Sequence, residues 1–498
     1  MGTRTILLLG AVAALAVYFL FFHRLADRDL WSSHEARAGM DAQMILDGGV
    51  WGLPCLFDGR PELQKPPLYY WLVASLGWLR SGTVDAWAVR LPAAGTALLS
   101  VLAVFAGLAW GRRRPLTGLL AAVALATAVH FTWLAHIGRV DMPLTLSVTL
   151  TLGTFYLARG RDRRTRLLLL GLAYLAIVAG VLLKGPIGFV LPAVVMAAHL
   201  TLECGPLSPR RWRDWGHALG ELGVWWGVPL VAALTLPWFV WVNTHTHGEF
   251  FRVFLWHHNI ERGLGGSSLR ANPWWFYLPQ FLGDFLPWSP LLPLAVWWAH
   301  RRGLWREDAD ARFGLIWFLG VLLLLSCSRF KRADYLLPAY PGAAVFLGCV
   351  AHRWLQERAE KPRRIALGGI AGLAGVMVLL WLVRLEWQLP ANEPYRDYRM
   401  FAARIRGLAP QPDEVILFRT EAHPLAFHLG RPLAVVVQWG ELNARLLQPG
   451  RHYLVTPPQY AEECPLYLRG VRLENVVRNT DLSGGGHEHP LVLLRADP

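Results

Sequence analysis

Residues 163–202 read RRTRLLLLGLAYLAIVAGVLLKGPIGFVLPAVVMAAHLTL. A cluster of arginines opens the stretch, an apolar run follows, Lys184-Gly185-Pro186 interrupts it, and a second apolar run completes it. Each run approaches the roughly twenty residues that an α-helix needs to cross a hydrocarbon core. The Gly-Pro pair marks a turn between them. The reading is two membrane-crossing helices, 167–183 and 186–202, with a lysine at the turn and arginines at the far end.

The same grammar extends outward in both directions until about residue 385 and then stops. Segments 6–22, 92–110, 116–134, 143–158, 222–242, 276–299, 313–327, 335–351 and 365–386 complete a set of about eleven expected crossings. The basic start and apolar run of the first segment would suit a signal peptide. No small-x-small cleavage site follows it before Trp31, so it is read as a retained helix. Of the 498 residues, 54% are hydrophobic and only 17% charged, with 25 tryptophans. That composition lies far from that of soluble enzymes.

The net charge of +14 does not indicate nucleic acid, because the arginines lie in short clusters between hydrophobic runs and not along one face. Arg112 to Arg114, Arg159 to Arg166, Arg210 to Arg213, Arg301 to Arg312 and Arg353 to Arg364 mark every second loop, as the positive-inside rule demands. With the N-terminus in the cytoplasm, residues 23–91, residues 243–275 and the segment from about 387 fall on the outer side. The expected organisation is a membrane domain over 1–386 and an extracytoplasmic α/β domain over 387–498. In that tail, strands are expected at Glu414–Phe418, Leu433–Val437, His452–Thr456 and Pro490–Leu494, and helices at Tyr398–Leu408 and Glu441–Leu447.

Orientation cannot explain basic residues on the outer side. Lys65, Arg139, Lys184, Arg262, Arg329 and Lys331 therefore call for another role, and binding a phosphate is the simplest. A lone lysine such as Lys184 would otherwise be read as snorkelling toward headgroups, and Asp141 as an ordinary helix cap. His257 and His258 are adjacent, yet no third histidine stands at ligand spacing on the same short helix, so metal is not indicated there. The five cysteines show no paired spacing, which argues against a zinc site or a disulfide framework.

Several ordered motifs carry a family resemblance. The first outer loop holds Ser33-His34-Glu35-Ala36-Arg37, then a Gly-Trp segment, then Gln64-Lys65-Pro66-Pro67-Leu68-Tyr69-Tyr70-Trp71, with Val89-Arg90-Leu91-Pro92 downstream. Arg139-Val140-Asp141-Met142-Pro143 and the Lys184-Gly185-Pro186 turn follow. Next come His258-Asn259-Ile260-Glu261-Arg262 with Pro273-Trp274-Trp275-Phe276-Tyr277, and Arg329-Phe330-Lys331-Arg332-Ala333-Asp334-Tyr335-Leu336-Leu337-Pro338. Over roughly residues 28–345 this pattern resembles the aminoarabinose transferase and protein O-mannosyltransferase-like families. Those are C-type glycosyltransferases that use polyprenyl-phosphate sugars. The pattern departs from them where His34-Glu35 stands for an Asp-Glu pair and where Gln64 stands for Glu.

The resemblance implies a mainly α, polytopic membrane fold and a single inverting displacement on the outer face of a bacterial inner membrane. It implies that Asp141 lines the active site and that Arg262 contacts phosphate. The expected assignment is Glu35 and Asp141, with His34, at the chemistry, and Lys65, Arg262, Arg329, Lys331 and Lys184 on the donor phosphate. Tyr69, Tyr70, Trp71, Arg139, His258, Asn259, Trp274 and Tyr335 would form the substrate cavity. The partners would be a polyprenyl-phosphate sugar, a lipid, glycan or protein acceptor, and membrane lipids. No cofactor is required, although a divalent metal at Glu35 and Asp141 stays open. A flippase for lipid-linked sugars or an inactive relative are the alternatives. A transporter would be expected to show repeat symmetry and helices broken near mid-membrane.

Overall fold

The computed structural model describes residues 3–261, 263, 271–410 and 414–497. Contacts divide the chain into two compact units. One comprises Met1–His23, Leu63–Tyr69 and Arg90–Leu382, and the other Arg24–Glu62, Tyr70–Val89 and Val383–Pro498. The boundary expected at 386/387 falls close to Val383, but residues 24–62 and 70–89 join the C-terminal segment in the second unit.

The first unit is helical. Each expected crossing contains helix, and among the described residues seven helices are long and apolar enough to span a membrane, or eight if one bent pair counts as a span. The helix Asp141–Ala158 falls outside that set. Four threonines lower its apolar character, and each turns its hydroxyl back onto a carbonyl four residues earlier, as Thr145 does to Asp141 and Thr149 to Thr145. This satisfies the hydroxyls within a helix whose side chains are mostly buried.

Two expected helices are interrupted. The segment 116–134 forms Pro115–Ala126 and Val129–Ala135, bent by 69°. The Val129 N–H donates to the Leu286 carbonyl and not to the preceding turn, and Trp288 Nε1 donates to Thr127 Oγ1 at the corner. The segment 276–299 forms Tyr277–Asp284 and Leu291–Arg301. Pro287 and Pro290 lie in the gap, where each removes a backbone donor and disfavours the helix before it.

Small residues allow close helix approaches in this unit. A Cβ on Gly314 would lie 2.7 Å from Phe346 N, and one on Gly342 2.8 Å from Phe318 N. The helices Ala309–Cys327 and Tyr340–Gln356 thus meet backbone to backbone.

The second unit contains a five-stranded sheet of order β2-β1-β3-β5-β4, with β1 Glu414–Phe418, β2 Ala434–Val436, β3 His452–Thr456, β4 Arg472–Arg478 and β5 Val492–Asp497. β1 runs parallel to β2 and β3, while β5 is antiparallel to β3 and β4. β4 is the strand the sequence reading lacks. It is an exposed edge of sequence RLENVVR with no alternating apolar face to betray it. Phe401, Ile405, Leu425 and Leu493 pack on one sheet face, and Phe418, Leu442, Leu446 and Leu454 on the other. Gly39 on the helix Ser33–Gly48 lets Phe427 approach so closely that an added Cβ would lie 2.6 Å from its ring.

Candidate functional site

In the first unit, charge gathers at the start of the helix Asp141–Ala158. The following helix Arg163–Lys184 runs antiparallel to it and ends at Gly185, whose φ of +73° suits glycine. A Cβ at Gly185 would also lie 2.3 Å from Phe254 Cζ. This turn delivers Lys184 Nζ to 2.6 Å from Asp141 Oδ1 and to 4.1 Å over the Tyr335 ring. Arg139 Nε lies 3.4 Å from the other Asp141 oxygen, and Arg139 also donates to Asp334. Asp334 in turn has His130 Nε2 at 3.4 Å and Arg332 at 3.5 Å, and His130 Nδ1 stands 3.9 Å from Asp284.

Asp141 is only 2% exposed. Two cations bracket its carboxylate, which offsets the cost of removing a charge from water. Arg139 and Lys184 pair with Asp141 and Asp334, so these two cations are already engaged within the cluster. A substrate phosphate would have to draw one of them partly away from its carboxylate, or meet charge from elsewhere. The arrangement can orient a hydroxyl or amine and take up its proton.

Of the other expected phosphate ligands in this unit, Lys331 is buried and its ammonium donates to the backbone carbonyls of Ser328 and Asn272. Burial pulls its pKa below the ordinary lysine value. Arg329 is exposed, and among the described residues no ion pair engages its guanidinium. Its backbone is fixed by bonds to Gly263 and Asn272. Lys65 is half-buried, Tyr69 buried, and Trp274 70% exposed. Asn259 Nδ2 caps the Phe254 carbonyl at 2.7 Å, and His258 is half-buried beside it. Arg262 lies outside the described residues.

The second unit holds Glu35, fully buried in the first turn of the helix Ser33–Gly48. Ser32 caps that helix by accepting from the Glu35 N–H at 3.2 Å. The Arg28 guanidinium faces both Glu35 oxygens, at 3.4 and 3.5 Å, and stacks 4.9 Å from the Trp31 ring. His34, next to it, is half-buried. Arg37 donates to Glu62 at 2.9 Å.

Tyr70, expected in a cavity wall, is instead packed inside this unit. Burial, with the negative charges of Glu62 and Asp41, pushes its hydroxyl pKa well above the ordinary value. Trp71 donates from Nε1 to the Trp51 carbonyl at 2.6 Å. Burial followed by the nearby Arg37 depresses the pKa of His423 on the neighbouring helix. A further knot ties residues 24–62 to the C-terminal segment. Asp29 accepts from the Tyr398 N–H at 2.9 Å and pairs with His428 Nε2 at 2.5 Å.

The structure thus brings together Asp141, Lys184, Arg139 and Tyr335. Sequence reasoning missed Asp334 and His130 in this cluster, and in the second unit it missed Arg28 as the partner of Glu35. Asp334 stands within a motif already quoted, between basic residues and Tyr335, and a carboxylate beside unexplained cations was the available signal. His130 carried none, because it sits inside an apolar run and only the bend at Thr127 turns it toward Asp334.

A family model described as dolichyl-phosphate-mannose-protein mannosyltransferase matches residues 42–249. The chain is 32% identical over 380 residues to the undecaprenyl phosphate-α-4-amino-4-deoxy-L-arabinose arabinosyl transferase of Pseudomonas aeruginosa strain LESB58, covering 75% of this chain and 64% of that protein. It is 28% identical over 402 residues to arabinosyl transferase 1 of the same description from Pseudomonas fluorescens Pf0-1, covering 79% of this chain and 66% of the relative. The match therefore spans just under two thirds of these relatives. Among solved structures, ArnT from Cupriavidus metallidurans bound to undecaprenyl phosphate superposes with a TM-score of 0.80 at 20% identity, over 99% of this chain and 98% of that one. The archaeal oligosaccharyltransferase AglB from Archaeoglobus fulgidus gives 0.59 at 14% identity, over 92% and 70%.

Proposed function

From a C-type glycosyltransferase fold and a sequence resembling the aminoarabinose and protein mannosyltransferases, we propose that this chain transfers a sugar from a polyprenyl-phosphate donor to a lipid A-like acceptor at the outer face of a bacterial inner membrane. The relatives at about one third identity carry the activity, and the buried Asp141–Lys184–Arg139 cluster supplies groups suited to it. The accompanying topology has eleven crossings, a cytoplasmic N-terminus and an extracytoplasmic sheet domain, which the placement of arginines supports.

In the proposed reaction an acceptor hydroxyl attacks the anomeric carbon as the bond from that carbon to the phosphate oxygen breaks. Polyprenyl phosphate leaves, the acceptor proton passes to a carboxylate, and the anomeric centre inverts. Glu35 or Asp141 would orient and deprotonate the acceptor, with His34 alongside Glu35. Lys65, Arg262 and Arg329 would receive the charge that grows on the departing phosphate. Lys184 would serve both Asp141 and the phosphate, while Lys331 fits better as a brace for its own loop.

The test is transfer of radiolabelled sugar from a polyprenyl-phosphate donor to lipid A by the full chain in lipid bilayers. Labelled acceptor supports the reading. Donor that crosses the bilayer without any transfer would mean a flippase, and neither transfer nor movement by folded protein would mean an inactive relative. Either result overturns the proposal.

A further inference from the structure

At the other end of the helix Asp141–Ala158 lies a cleft that the proposed reaction does not use. Asp141 and Tyr156 are fifteen residues apart on this helix, roughly 22 Å at 1.5 Å per residue. The cleft is a narrow groove, open along one side, with a cavity volume of about 50 Å³, between this helix and the segments Ala86–Gly111 and Ala309–Cys327. Val104, Leu108, Leu157 and Phe313 wall it with hydrocarbon. Gly153 forms part of the lining, and a Cβ placed on it would meet nothing within 4 Å. The polar groups along the lining are spent on each other. Asp310 accepts from Arg112 Nε, Arg114 and the Tyr156 hydroxyl, and Thr149 donates to Thr145. Below the Arg112 guanidinium a sugar or peptide would find these groups already engaged, whereas a hydrocarbon chain needs no hydrogen-bond partner.

The mouth is cationic. The chain leaves the helix Ala86–Ala106 through a widened turn, Gly107–Gly111, which places Arg112 at the cleft with its guanidinium 5.4 Å over the Tyr156 ring. Only Arg112 Nε is taken by Asp310 among the described residues, which leaves its terminal amino groups to donate outward. Arg112 and Arg114 are balanced by Asp310 and Asp308. Arg113 is exposed, with no ion pair among the described residues, and adds one uncompensated positive charge. Trp110 beside it is 75% exposed, the placement expected of an aromatic at a headgroup layer.

We propose that this cleft is a binding site for an anionic phospholipid, with one acyl chain lying along Gly153 and the phosphate held by Arg112 and Arg113. Hydrocarbon fills any lipid-facing groove, so the specificity comes from the excess charge at its mouth. This site is independent of the transferase reading, and its test reads binding and not turnover.

The full chain is placed in bilayers of phosphatidylethanolamine with increasing phosphatidylglycerol, and both its melting temperature and the lipid it retains on extraction are measured. The expected result is a melting temperature that rises with phosphatidylglycerol and one retained anionic lipid per chain. Gly153→Leu fills the cleft and should abolish both effects while melting normally in phosphatidylethanolamine alone. Arg113→Gln, on the surface and unpaired, should reduce the preference for phosphatidylglycerol about fivefold, the equivalent of about 1 kcal/mol per basic residue near an anionic surface. If Gly153→Leu fails to fold, Arg113→Gln alone decides. An unchanged preference in that variant overturns the proposal, as does equal stabilisation by the two lipids or displacement of the retained lipid by undecaprenyl phosphate.

Discussion

Lys184 Nζ and Asp141 Oδ1 stand 2.6 Å apart, joining the end of the helix Arg163–Lys184 to the start of the helix Asp141–Ala158 immediately before it. The pair is buried on the Asp141 side and only partly exposed on the lysine side, with side-chain exposures of 3% and 22%. Its disruption should therefore affect both fold and chemistry, and the two can be separated.

Asp141→Asn removes the charge between Lys184 and Arg139. Loss of one partner from a buried pair costs about 3–5 kcal/mol, so the melting temperature should fall and transfer should drop by about 100-fold or more. The double variant Asp141→Asn with Lys184→Met removes both charges and should regain much of the thermal stability without regaining transfer. Recovery of transfer in the double variant would make the pair purely structural.

Arg329 and Lys331 should separate in the same way. Arg329→Ala loses an exposed guanidinium and should leave the melting temperature unchanged while raising the KM for donor about tenfold, the value of one charge-assisted contact. Lys331→Ala leaves the Ser328 and Asn272 carbonyls without their donor. It should lower the melting temperature and affect KM less. The comparison is steady-state kinetics beside thermal unfolding of the same preparations.

The Asp29–His428 contact predicts an acid limb in the stability of the second unit. Burial opposes ionisation of Asp29, yet the hydrogen bond and charge of His428 and the N–H groups of Tyr398 and Leu30 hold its pKa below the ordinary carboxylate value. A depressed folded pKa gives stability that is complete above the unfolded value of about 3.9 and is lost as pH falls through the lower folded value. Asp29→Asn should lower stability at neutral pH and flatten this limb in melting curves taken from pH 6 down to pH 3. An acid limb of unchanged steepness would assign it to other carboxylates.

Gly314→Val should disrupt the contact between the helices Ala309–Cys327 and Tyr340–Gln356. Its Cβ would lie 2.7 Å from Phe346 N, a backbone atom that cannot rotate away. Overpacking of this kind costs about 1–3 kcal/mol. Gly153→Ala, where the Cβ meets open space, is the control and should melt as the parent does.

The sequence by itself determined where helices run, because spanning lengths of apolar residues leave the backbone few alternatives to internal hydrogen bonding. Four of the five strands were legible for the same reason, since each has at least one buried face. It also singled out Asp141, Lys184, Arg139 and Tyr335, because charge on or beside an apolar run is costly enough to demand a cause. Only the tertiary structure decided how those charges pair. Lys184 meets Asp141 across a gap of forty-three positions, Arg139 reaches Asp334 across nearly two hundred, and no local periodicity records such a distance. The break after Ala126 was equally hidden, because the Val129 N–H is redirected there to the Leu286 carbonyl, remote in sequence, whereas the break after Asp284 follows from Pro287 and Pro290. Burial decided Tyr70 and Lys331 as well. An aromatic or a lysine on an external loop reads as accessible until packing and backbone carbonyls enclose it.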